Sequence, residues 1–457
     1  MNSTADTIFA LSSGRPPAAI AVVRVSGPHA GAALTALTGR IPQPRKAALA
    51  RVRDPGSGEI IDEALALWFP GPNSETGEDT AELQLHGGRA VIAAVLGALG
   101  QIEGCRPAEA GEFTRRAFEN GQLDLTRVEG LADLVGADTE AQRRQAFRQM
   151  KGMLGDRAET WRTRLTEALA LVEARIDFPD EGDVPDDLVS PALARARELR
   201  DEITVALADQ RRGERLREGL VVAIAGPPNA GKSSLLNRIA RRDAAIVSPF
   251  AGTTRDVIEV HLDLQGFPVT LVDTAGIRDS VDPVEQEGVR RARERAAAAD
   301  LVLWVMDAAA GGEIAGETLA QEFPNNAKWI IWNKVDLVSA LRIKTLRSIV
   351  QKLDYPTYFI STFTESGFVD LFSALAGHAS QFLGSTEPAL VTRDRHRRAR
   401  AGALAALDRA LQERSPIREE VVAEELRIAA TALGRLVGRV DVEDILDVIF
   451  RDFCIGK

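Results

Sequence analysis

A glycine-rich stretch in the middle of the chain has the composition needed to hold a phosphate group. It reads GPPNAGKS from Gly226 to Ser233, between the apolar run LVVAIA and a helical run. In that context the two glycines let the backbone wrap a β-phosphate, and N–H groups at the helix start face the anion. The lysine supplies a cation and the serine a Mg²⁺ ligand. The predicted nucleotide-binding residues here are Asn229, Ala230, Gly231, Lys232, Ser233 and Ser234, with Ser233 on Mg²⁺.

Two further motifs follow in the order that a nucleotide site requires. AGTTRD offers a hydroxyl for Mg²⁺ and an N–H for a γ-phosphate, whereas DTAG places an aspartate at the end of an apolar strand, where it can hold a metal-bound water. The predicted Mg²⁺ ligand in the first motif is Thr254. Together the two motifs predict nucleotide contacts by Thr253, Thr254, Asp273, Thr274, Ala275 and Gly276.

The segment NKVD predicts that the base is guanine. Asp336 can accept two hydrogen bonds from guanine N–H groups, while Asn333 contacts the base from its other edge. An adenine would leave these groups unsatisfied, so the chemistry favours GTP over ATP. Lys334 completes this motif, and the IST sequence ending in Ser361 and Thr362 matches a base-stacking loop in part.

One substitution bears on hydrolysis. Ile277 follows DTAG where Ras-like proteins carry the glutamine that orients the attacking water, and an apolar side chain cannot do this. Glu285 and Glu287 in the acidic segment that follows are candidates for the role. On these residues alone a solvated helix start is the favoured explanation, and a water-positioning glutamate is the alternative.

The bulk composition is that of an ordinary globular protein. The 457 residues are 45% hydrophobic and 27% charged, enough for two or three domains. A net charge of -10 argues against a generally basic nucleic-acid coat. No apolar run approaches the roughly 20 residues of a membrane span. With only Cys105 and Cys454, and no signal-like start, we expect a cytoplasmic protein in a reducing compartment.

Periodicity divides the chain into four segments. Short β-type runs with Gly/Pro turns predict an α+β domain over 1–118, and spacings of three and four predict helices over 119–217. Alternating strands and helices predict a doubly wound domain over 218–380, with one antiparallel edge at the Gln-Gly turn. Helices return over 381–457. The simplest arrangement is one helical domain built from both flanks, with the nucleotide domain inserted into it.

The flanking segments carry a family resemblance. DTIFAL, IAVVRVSGP, FPGPNSETGED, ELQLHGG, RPAEAGEFTRRAFENGQLDLTRVEGLADL and the terminal FCIGK resemble the bacterial MnmE (TrmE) family of tRNA-modification GTPases along essentially the whole chain. The resemblance implies an N-terminal α+β domain that binds tetrahydrofolate and dimerises, a discontinuous helical domain, and an inserted Ras-like doubly wound G domain. A homodimer is therefore expected.

The resemblance also implies a function. The family is a GTPase that works with a flavoprotein, MnmG (GidA), whose FAD is on the partner. The complex adds a (carboxymethyl)aminomethyl group to C5 of the wobble uridine of tRNA. A 5-formyl- or methylene-tetrahydrofolate supplies one carbon, and K⁺-dependent dimerisation of G domains drives the cycle. The alternatives are an RNA- or ribosome-associated GTPase switch with a vestigial folate domain, and a folate methyltransferase, which no acid/base constellation in 1–118 supports.

Several residue roles follow from the resemblance alone. It implies K⁺ ligands at Asn229, Ser248, Phe250 (through its backbone) and Thr253, with Ser248 also at the nucleotide. It implies that Glu285 positions the attacking water. It places folate at Arg24, Glu82, Gln122 and Lys457. Arg24 and Lys457 suit the ligand's glutamate carboxylates, and Glu82 suits the pterin amidine edge. Cys454 is either a catalytic thiol or a buried apolar one.

Three positions depart from the family pattern. The segment near the start reads GRPPAAIAVVR instead of a glycine-rich sequence, Glu75 stands where an aromatic residue usually precedes TGED, and Gln122 replaces a lysine. All three departures concern the folate site.

Overall fold

Two compact units make up the chain. A computed structural model describes residues 6–178, 185, 187–207, 212–241, 246, 259–273, 299–310, 326–350, 355–384, 390–413, 418–440, 446, 449–450, 453 and 455–456. The first unit combines 1–132, 148–204 and 398–457, and the second combines 133–147 and 205–397. Among the described helices, none is long and apolar enough to cross a membrane.

The first unit contains a sheet in the order β3-β4-β5-β2-β1-β6. Its neighbours are antiparallel except β1 and β6, which run parallel. The strands are β1 Thr7–Leu11, β2 Ala18–Ser26, β3 Ala48–Arg53, β4 Ile60–Phe69, β5 Thr80–Gly87 and β6 Cys105–Pro107. The predicted β-type runs over 1–118 are AAIAVVRVSG, EALALWFPG and AELQLHGG, and they correspond to β2, β4 and β5, so these predicted strands are present.

The faces of this sheet differ in burial. Helices α1 (Ala30–Thr38) and α2 (Arg89–Gly100) contribute to one core with alternate strand residues, among them Val23 and Leu83. The intervening residues of the outer strands point to the other face, where Leu49 and Leu65 are exposed opposite each other. Period-two alternation therefore leaves the second face exposed at the outer strands, whereas at β1 that face is buried against Phe113 of α3.

Helices from both flanks of the nucleotide domain share a core in the first unit. Leu154 and Ala158 pack against Leu436 and Val437. This is the discontinuous helical domain that the sequence predicts. The helices of the flanks are α3 Glu112–Glu119, α4 Leu125–Val135, α5 Glu140–Met150, α6 Gly155–Asp177, α7 Val189–Leu207, α12 Asp394–Gln412 and α13 Glu419–Val437.

The predicted helical run from 125 to 150 is interrupted in the structure. Helix α4 ends at Val135 and α5 begins at Glu140. The Gln142 side-chain oxygen accepts hydrogen bonds from the backbone N–H groups of Asp138 and Thr139. The Gln142 side chain thus satisfies backbone N–H groups at the start of a new helix. This local hydrogen bonding favours a break after Val135 over a continuous helix through Gly136.

The second unit is a doubly wound sheet in the order β12-β11-β10-β7-β9-β8. Its strands are β7 Leu220–Ala225, β8 Glu259–Leu264, β9 Phe267–Asp273, β10 Leu301–Asp307, β11 Ala327–Asn333 and β12 Thr357–Phe359. Its helices are α8 Arg212–Glu218, α9 Lys232–Ala240, α10 Ala340–Val350 and α11 Phe368–Leu383. All described pairs are parallel except β8–β9.

The antiparallel edge confirms the hairpin predicted at the Gln-Gly turn. Gln265 and Gly266 have φ of 55° and 90°. Two successive positive φ values match the twist of a tight hairpin. The sequence therefore determined both the edge and its direction.

Candidate guanine-nucleotide and folate sites

Two glycines shape the loop that follows β7. Gly226 has φ of +137°, and a Cβ there would lie 2.2 Å from the carbonyl oxygen of Val305. Gly231 has φ of +94°, and its Cβ would lie 2.2 Å from Nδ2 of Asn333. Both conformation and space therefore require glycine, which explains their spacing in the phosphate motif.

Lys232 begins α9 and lies within this loop. Its Nζ donates hydrogen bonds to the carbonyl oxygens of Gly226 and Pro227, each at 2.8 Å. Burial lowers the pKa of the Lys232 ammonium, while the charge of Asp273 acts in the opposite direction. The cation is thus held beside the N-terminus of a helix, where N–H groups favour an anion.

Two of the predicted metal-site residues meet at the C-terminal end of β9. The hydroxyl of Ser233 donates to Oδ2 of Asp273 at 3.2 Å, and Asp273 is buried. A hydroxyl and a carboxylate next to a phosphate loop are the oxygen ligands that Mg²⁺ prefers. The described residues therefore fit a Mg²⁺ ion at this position.

Asn333 joins three loops of the site from a buried position. Its Nδ2 donates to the carbonyl oxygen of Ala230 at 3.0 Å. Its Oδ1 accepts from the N–H groups of Lys334 at 2.8 Å and Thr362 at 3.2 Å. The phosphate loop and the base loops are thereby fixed relative to one another by one amide.

Lys334 makes a second link between the loops of the site. Lys334 was predicted from the sequence, but its partner Asp307 was not. Its Nζ donates to the carbonyl oxygen of Asn229 at 2.9 Å and pairs with Oδ2 of Asp307 at 2.7 Å. Burial raises the pKa of Asp307, but hydrogen bonds from Lys334 and the Ala309 N–H outweigh it and leave that pKa below its ordinary value. Asp307 could have been recognised from the sequence as an acidic residue that directly follows the apolar run of β10.

The residues predicted to recognise the base lie on two turns. Asp336 is exposed within the 3-10 turn Val335–Leu337, where its carboxylate can accept hydrogen bonds. Ser361 is buried, and its Oγ accepts from the N–H groups of Phe363 at 3.2 Å and Thr364 at 3.0 Å. Ser361 therefore shapes the loop that carries Thr362. Ser234 is exposed in the first turn of α9.

Several predicted residues lie outside the described part of the chain. They are Ser248, Phe250, Thr253, Thr254, Thr274, Ala275, Gly276, Ile277, Glu285, Glu287, Cys454 and Lys457.

Two of the predicted folate residues face each other in the sheet of the first unit. Arg24 on β2 is the direct cross-strand partner of Glu82 on β5. Oε1 of Glu82 accepts a hydrogen bond from Nε of Arg24 at 2.9 Å, and Nη2 of Arg24 lies 2.8 Å from the same oxygen in an ion pair. Both side chains are mostly buried. One oxygen of Glu82 thus contacts two nitrogens of the guanidinium.

Two further residues surround the Arg24 guanidinium. Nη1 forms an ion pair with Glu75, which lies in the loop between β4 and β5. The guanidinium carbon lies 5.8 Å from the centre of the buried Phe113 ring. From the sequence, Glu75 was notable only because it replaces the aromatic residue that usually precedes TGED. Its spacing from Arg24 gave no indication that the two side chains pair.

Gln122 approaches the same loop from the end of α3. Its Nε2 donates to the carbonyl oxygen of Pro72 at 3.2 Å. It also lines a cavity of about 470 Å³ within the first unit, with Phe118, Arg127 and Arg439. Gln122 is thus close to the loop of Glu75.

A buried ion network fixes this loop. Arg116 is 3% exposed and donates to Glu78 at 3.1 and 3.2 Å and to Glu112 at 3.1 Å. Ser26 also donates to Glu78, at 2.9 Å. Glu112 in turn binds Arg106. These contacts join β2, α3 and the loop around Glu75.

The C-terminal tail contacts the N-terminal segment within the first unit. Ile455 forms an antiparallel bridge with Ala110. Gly456 has φ of +98°, and a Cβ there would lie 2.1 Å from the carbonyl oxygen of Leu11. Ile455 and Gly456 of the C-I-G-K motif therefore lie against the sheet and the start of α3.

The doubly wound sheet, the phosphate loop and the loops joined by Asn333 define a guanine-nucleotide-binding G domain. Two family models match successive parts of the chain: "GTP-binding protein TrmE N-terminus" over residues 7–122 and "MnmE helical domain" over 125–454. The chain belongs to the MnmE (TrmE) family.

Curated relatives match over the full length. The tRNA modification GTPase MnmE of Rhodopseudomonas palustris is 58% identical over 100% of both chains. The protein of the same name from Bradyrhizobium sp. is 58% identical over 99% of each, and that of Parvibaculum lavamentivorans is 55% identical over 99% of this chain and 100% of its own. These matches confirm the resemblance stated from the sequence.

Proposed function

We propose that this protein is the GTP-hydrolysing component of a tRNA-modifying complex in the cytoplasm. With a flavoprotein of the MnmG (GidA) type, which carries FAD, it adds a (carboxymethyl)aminomethyl group to C5 of a wobble uridine. The full-length match to proteins named tRNA modification GTPase MnmE carries this proposal.

The geometry of the second unit supports the hydrolytic part. Lys232 places a cation where the β- and γ-phosphate oxygens meet the loop, and Asp336 accepts from guanine. Asn333 keeps these two regions in register through Ala230 and Thr362. Mg²⁺, when held by Ser233 and Thr254 with Asp273 nearby, neutralises phosphate charge.

The proposal assigns a potassium ion and a water-positioning residue to the same site. Asn229 is exposed at φ of +62° on the phosphate loop, which suits a ligand that faces outward. Ser248, Thr253 and the Phe250 backbone are the other proposed K⁺ ligands, and Glu285 orients the attacking water. K⁺ across two G domains would stabilise transition-state charge. GTP turnover should rise sharply when K⁺ replaces Na⁺, and cation-independent turnover contradicts this assignment.

The folate proposal rests on the first unit. Glu82 has one oxygen engaged by Arg24 and a second that can accept from the N–H groups of a pterin. Gln122 lies near the adjoining loop, and Ile455 and Gly456 bring the tail that ends at Lys457 to the same sheet. We assign this site to a tetrahydrofolate derivative. A role for Cys454 in the modification is part of the proposal.

The open side of the sheet supports a homodimer. Ile20, Leu49 and Leu65 are 60%, 66% and 41% exposed. Burying such side chains against a second copy is favourable at about 25 cal/mol per Å². Replacing Leu49 and Leu65 by aspartate should give monomers in sedimentation experiments, whereas Leu341→Asp, an exposed control in the second unit, should not.

The decisive experiment is mass spectrometry of tRNA from cells that lack the protein. Unmodified C5 at wobble uridines is expected, with restoration by the wild-type gene but not by Lys232→Ala. Unchanged tRNA in the deletion strain contradicts the proposal and leaves the alternative of an RNA- or ribosome-associated GTPase switch.

A further inference from the structure

Helix α5 is attached to its neighbours through polar side chains. Three glutamines on one face donate hydrogen bonds from their side-chain amides to backbone carbonyl oxygens at 2.9 to 3.1 Å. An alanine on the same face is buried. Spacings of three and four place these residues on one side of the helix. The inner face defined in this way consists of Gln142, Gln145, Ala146 and Gln149.

The opposite face of α5 carries cations around an aromatic ring. Arg144 and Arg148 are exposed, and Phe147 between them is 43% exposed. These residues are three and four positions apart, so their side chains lie next to one another on the side away from the glutamines. Lys151 is exposed immediately after the helix and adds a third cation at that end. This outer face of α5, with Lys151, therefore combines three positive charges with one accessible ring.

The region stays positive after its internal ion pairs are counted. Glu140 pairs with Arg143 and with Arg144, each at 2.6 Å. Four basic residues and one acidic residue between 140 and 151 leave a local charge of +3, in a chain whose net charge is -10. Exposed ion pairs are weak, so Arg144 can exchange Glu140 for another anion. The outer face of α5 is thus a local basic patch on an acidic protein.

An RNA strand matches both components of this face. Phosphate oxygens accept hydrogen bonds from guanidinium groups, and an accessible aromatic ring offers a stacking surface for an unpaired base. Arginines clustered along one helix face are a typical electrostatic footprint of a nucleic-acid-binding protein. The curated relatives are named as tRNA modification GTPases, which favours tRNA over an acidic protein as the partner.

We infer that the outer face of α5 is a contact surface for tRNA. The cations Arg144, Arg148 and Lys151 bind phosphates, and the ring of Phe147 packs against an unpaired base. This inference rests on the proposed function, in which tRNA is the substrate of the complex. Because the contacts are to phosphates and to the face of a base, they position the RNA and carry little sequence information.

The test of the cations is tRNA binding at several NaCl concentrations. Full-length wild-type protein and the double variant Arg144→Gln/Arg148→Gln are titrated into a fluorescently labelled tRNA transcript with a wobble uridine, and anisotropy is measured. The control is Arg409→Gln/Arg418→Gln, which removes two charges from arginines that are 51% and 68% exposed in the first unit. We expect the α5 variant to bind about 10- to 50-fold more weakly at about 0.1 M salt, with a slope of log affinity against log salt that is shallower by about 1 to 2. The control should bind like the wild type.

Phe147→Leu tests the ring separately. It keeps an apolar side chain and removes the flat surface for stacking. We expect tRNA affinity to fall by about 5-fold or more, with the salt slope of the wild type, because no phosphate contact is lost. GTP affinity should be the same in all variants, which would show that the nucleotide site is intact.

Each result decides the inference. Wild-type affinity and salt slope in Arg144→Gln/Arg148→Gln overturn it, and so does an equal loss in the control, because only net charge would then matter. Unchanged affinity in Phe147→Leu removes the stacking contact. Normal tRNA binding by the variants together with lost wobble-uridine modification in cells assigns the face to a protein partner and also overturns the inference. A wild-type protein that does not bind tRNA overturns it too, whereas the proposed function is judged independently by mass spectrometry of tRNA from the deletion strain.

Discussion

The nucleotide site and the N-terminal site are held together in different ways. Around the phosphate loop, side chains bind backbone groups, as Asn333 does with Ala230 and Lys232 with Gly226. Around Arg24, charged side chains bind one another. A side chain that binds backbone needs one fixed stretch of backbone opposite it, even 103 positions away as for Asn333 and Ala230, whereas an ion network needs charged partners from several elements at once.

This difference explains why short sequence motifs predict the nucleotide site but not the ion network around Arg24. Gly226 and Gly231 are fixed by backbone conformation, so a spacing rule describes them. Arg116 binds residues 38 positions away at Glu78 and four away at Glu112. Spacing alone carries no signal for the longer contact.

The largest expected effect concerns base selection. Asp336→Asn replaces one of the two acceptors for guanine by a donor, which pairs better with the 2-carbonyl of xanthine. We expect a loss of GTP affinity of about 10³- to 10⁴-fold with a gain for xanthosine triphosphate, measured with fluorescent nucleotides. Asp370→Asn, an exposed position on α11, is the control. Retained GTP affinity in Asp336→Asn would remove this residue from base recognition.

Gly231→Ala tests whether backbone geometry controls the nucleotide site. The new Cβ would lie 2.2 Å from Nδ2 of Asn333 at a φ of +94°. We expect about 100-fold weaker GTP binding and a loss of about 1–3 kcal/mol in the free energy of unfolding. Gly377→Ala is the matched control, since a Cβ there meets nothing within 4 Å on helix α11, and it should stabilise the protein by about 0.5–1 kcal/mol.

Arg116→Met tests the ion network of the first unit. Removing this buried cation leaves Glu78 and Glu112 without their shared partner. We expect about 3–5 kcal/mol of destabilisation in denaturant unfolding of the first unit, with GTP affinity unchanged. Arg51→Met removes a pair whose side chains are 63% and 56% exposed, and it should change stability by less than about 1 kcal/mol. Similar losses from both variants would show that burial does not distinguish the two pairs.

The smallest effect is a pH dependence from Glu112. Burial raises its pKa, but hydrogen bonds from Arg106 and the Glu109 N–H outweigh this, so the folded pKa lies below the ordinary value of 4.5. Glu112 therefore contributes stability above pH 4.5 that is lost as pH falls through the folded pKa. Unfolding of Glu112→Gln should depend less on pH in this acid range than the wild type. An identical pH dependence in both proteins would contradict the role of this carboxylate.

Much of the architecture follows from local sequence patterns. The Gln265–Gly266 turn determined the antiparallel edge. A tight hairpin needs positive φ at both central residues, and glycine adopts such values readily. The break between the two helices within 125–150 could not be predicted from periodicity. The apolar spacing continues through Gly136, whereas Gln142 caps a new helix. Periodicity reports which face is buried and says little about where a helix stops.

The sequence by itself predicted the phosphate loop, the guanine motif and the doubly wound sheet, since short motifs or regular periodicity encode them, and its flanking motifs indicated the family. Only the tertiary structure decided that Glu75 binds Arg24, that Asp307 binds Lys334 and that Ile455 pairs with Ala110. These contacts join residues that are 27 or more positions apart in the chain. Their formation depends on how strands and loops are brought together, which no local pattern encodes.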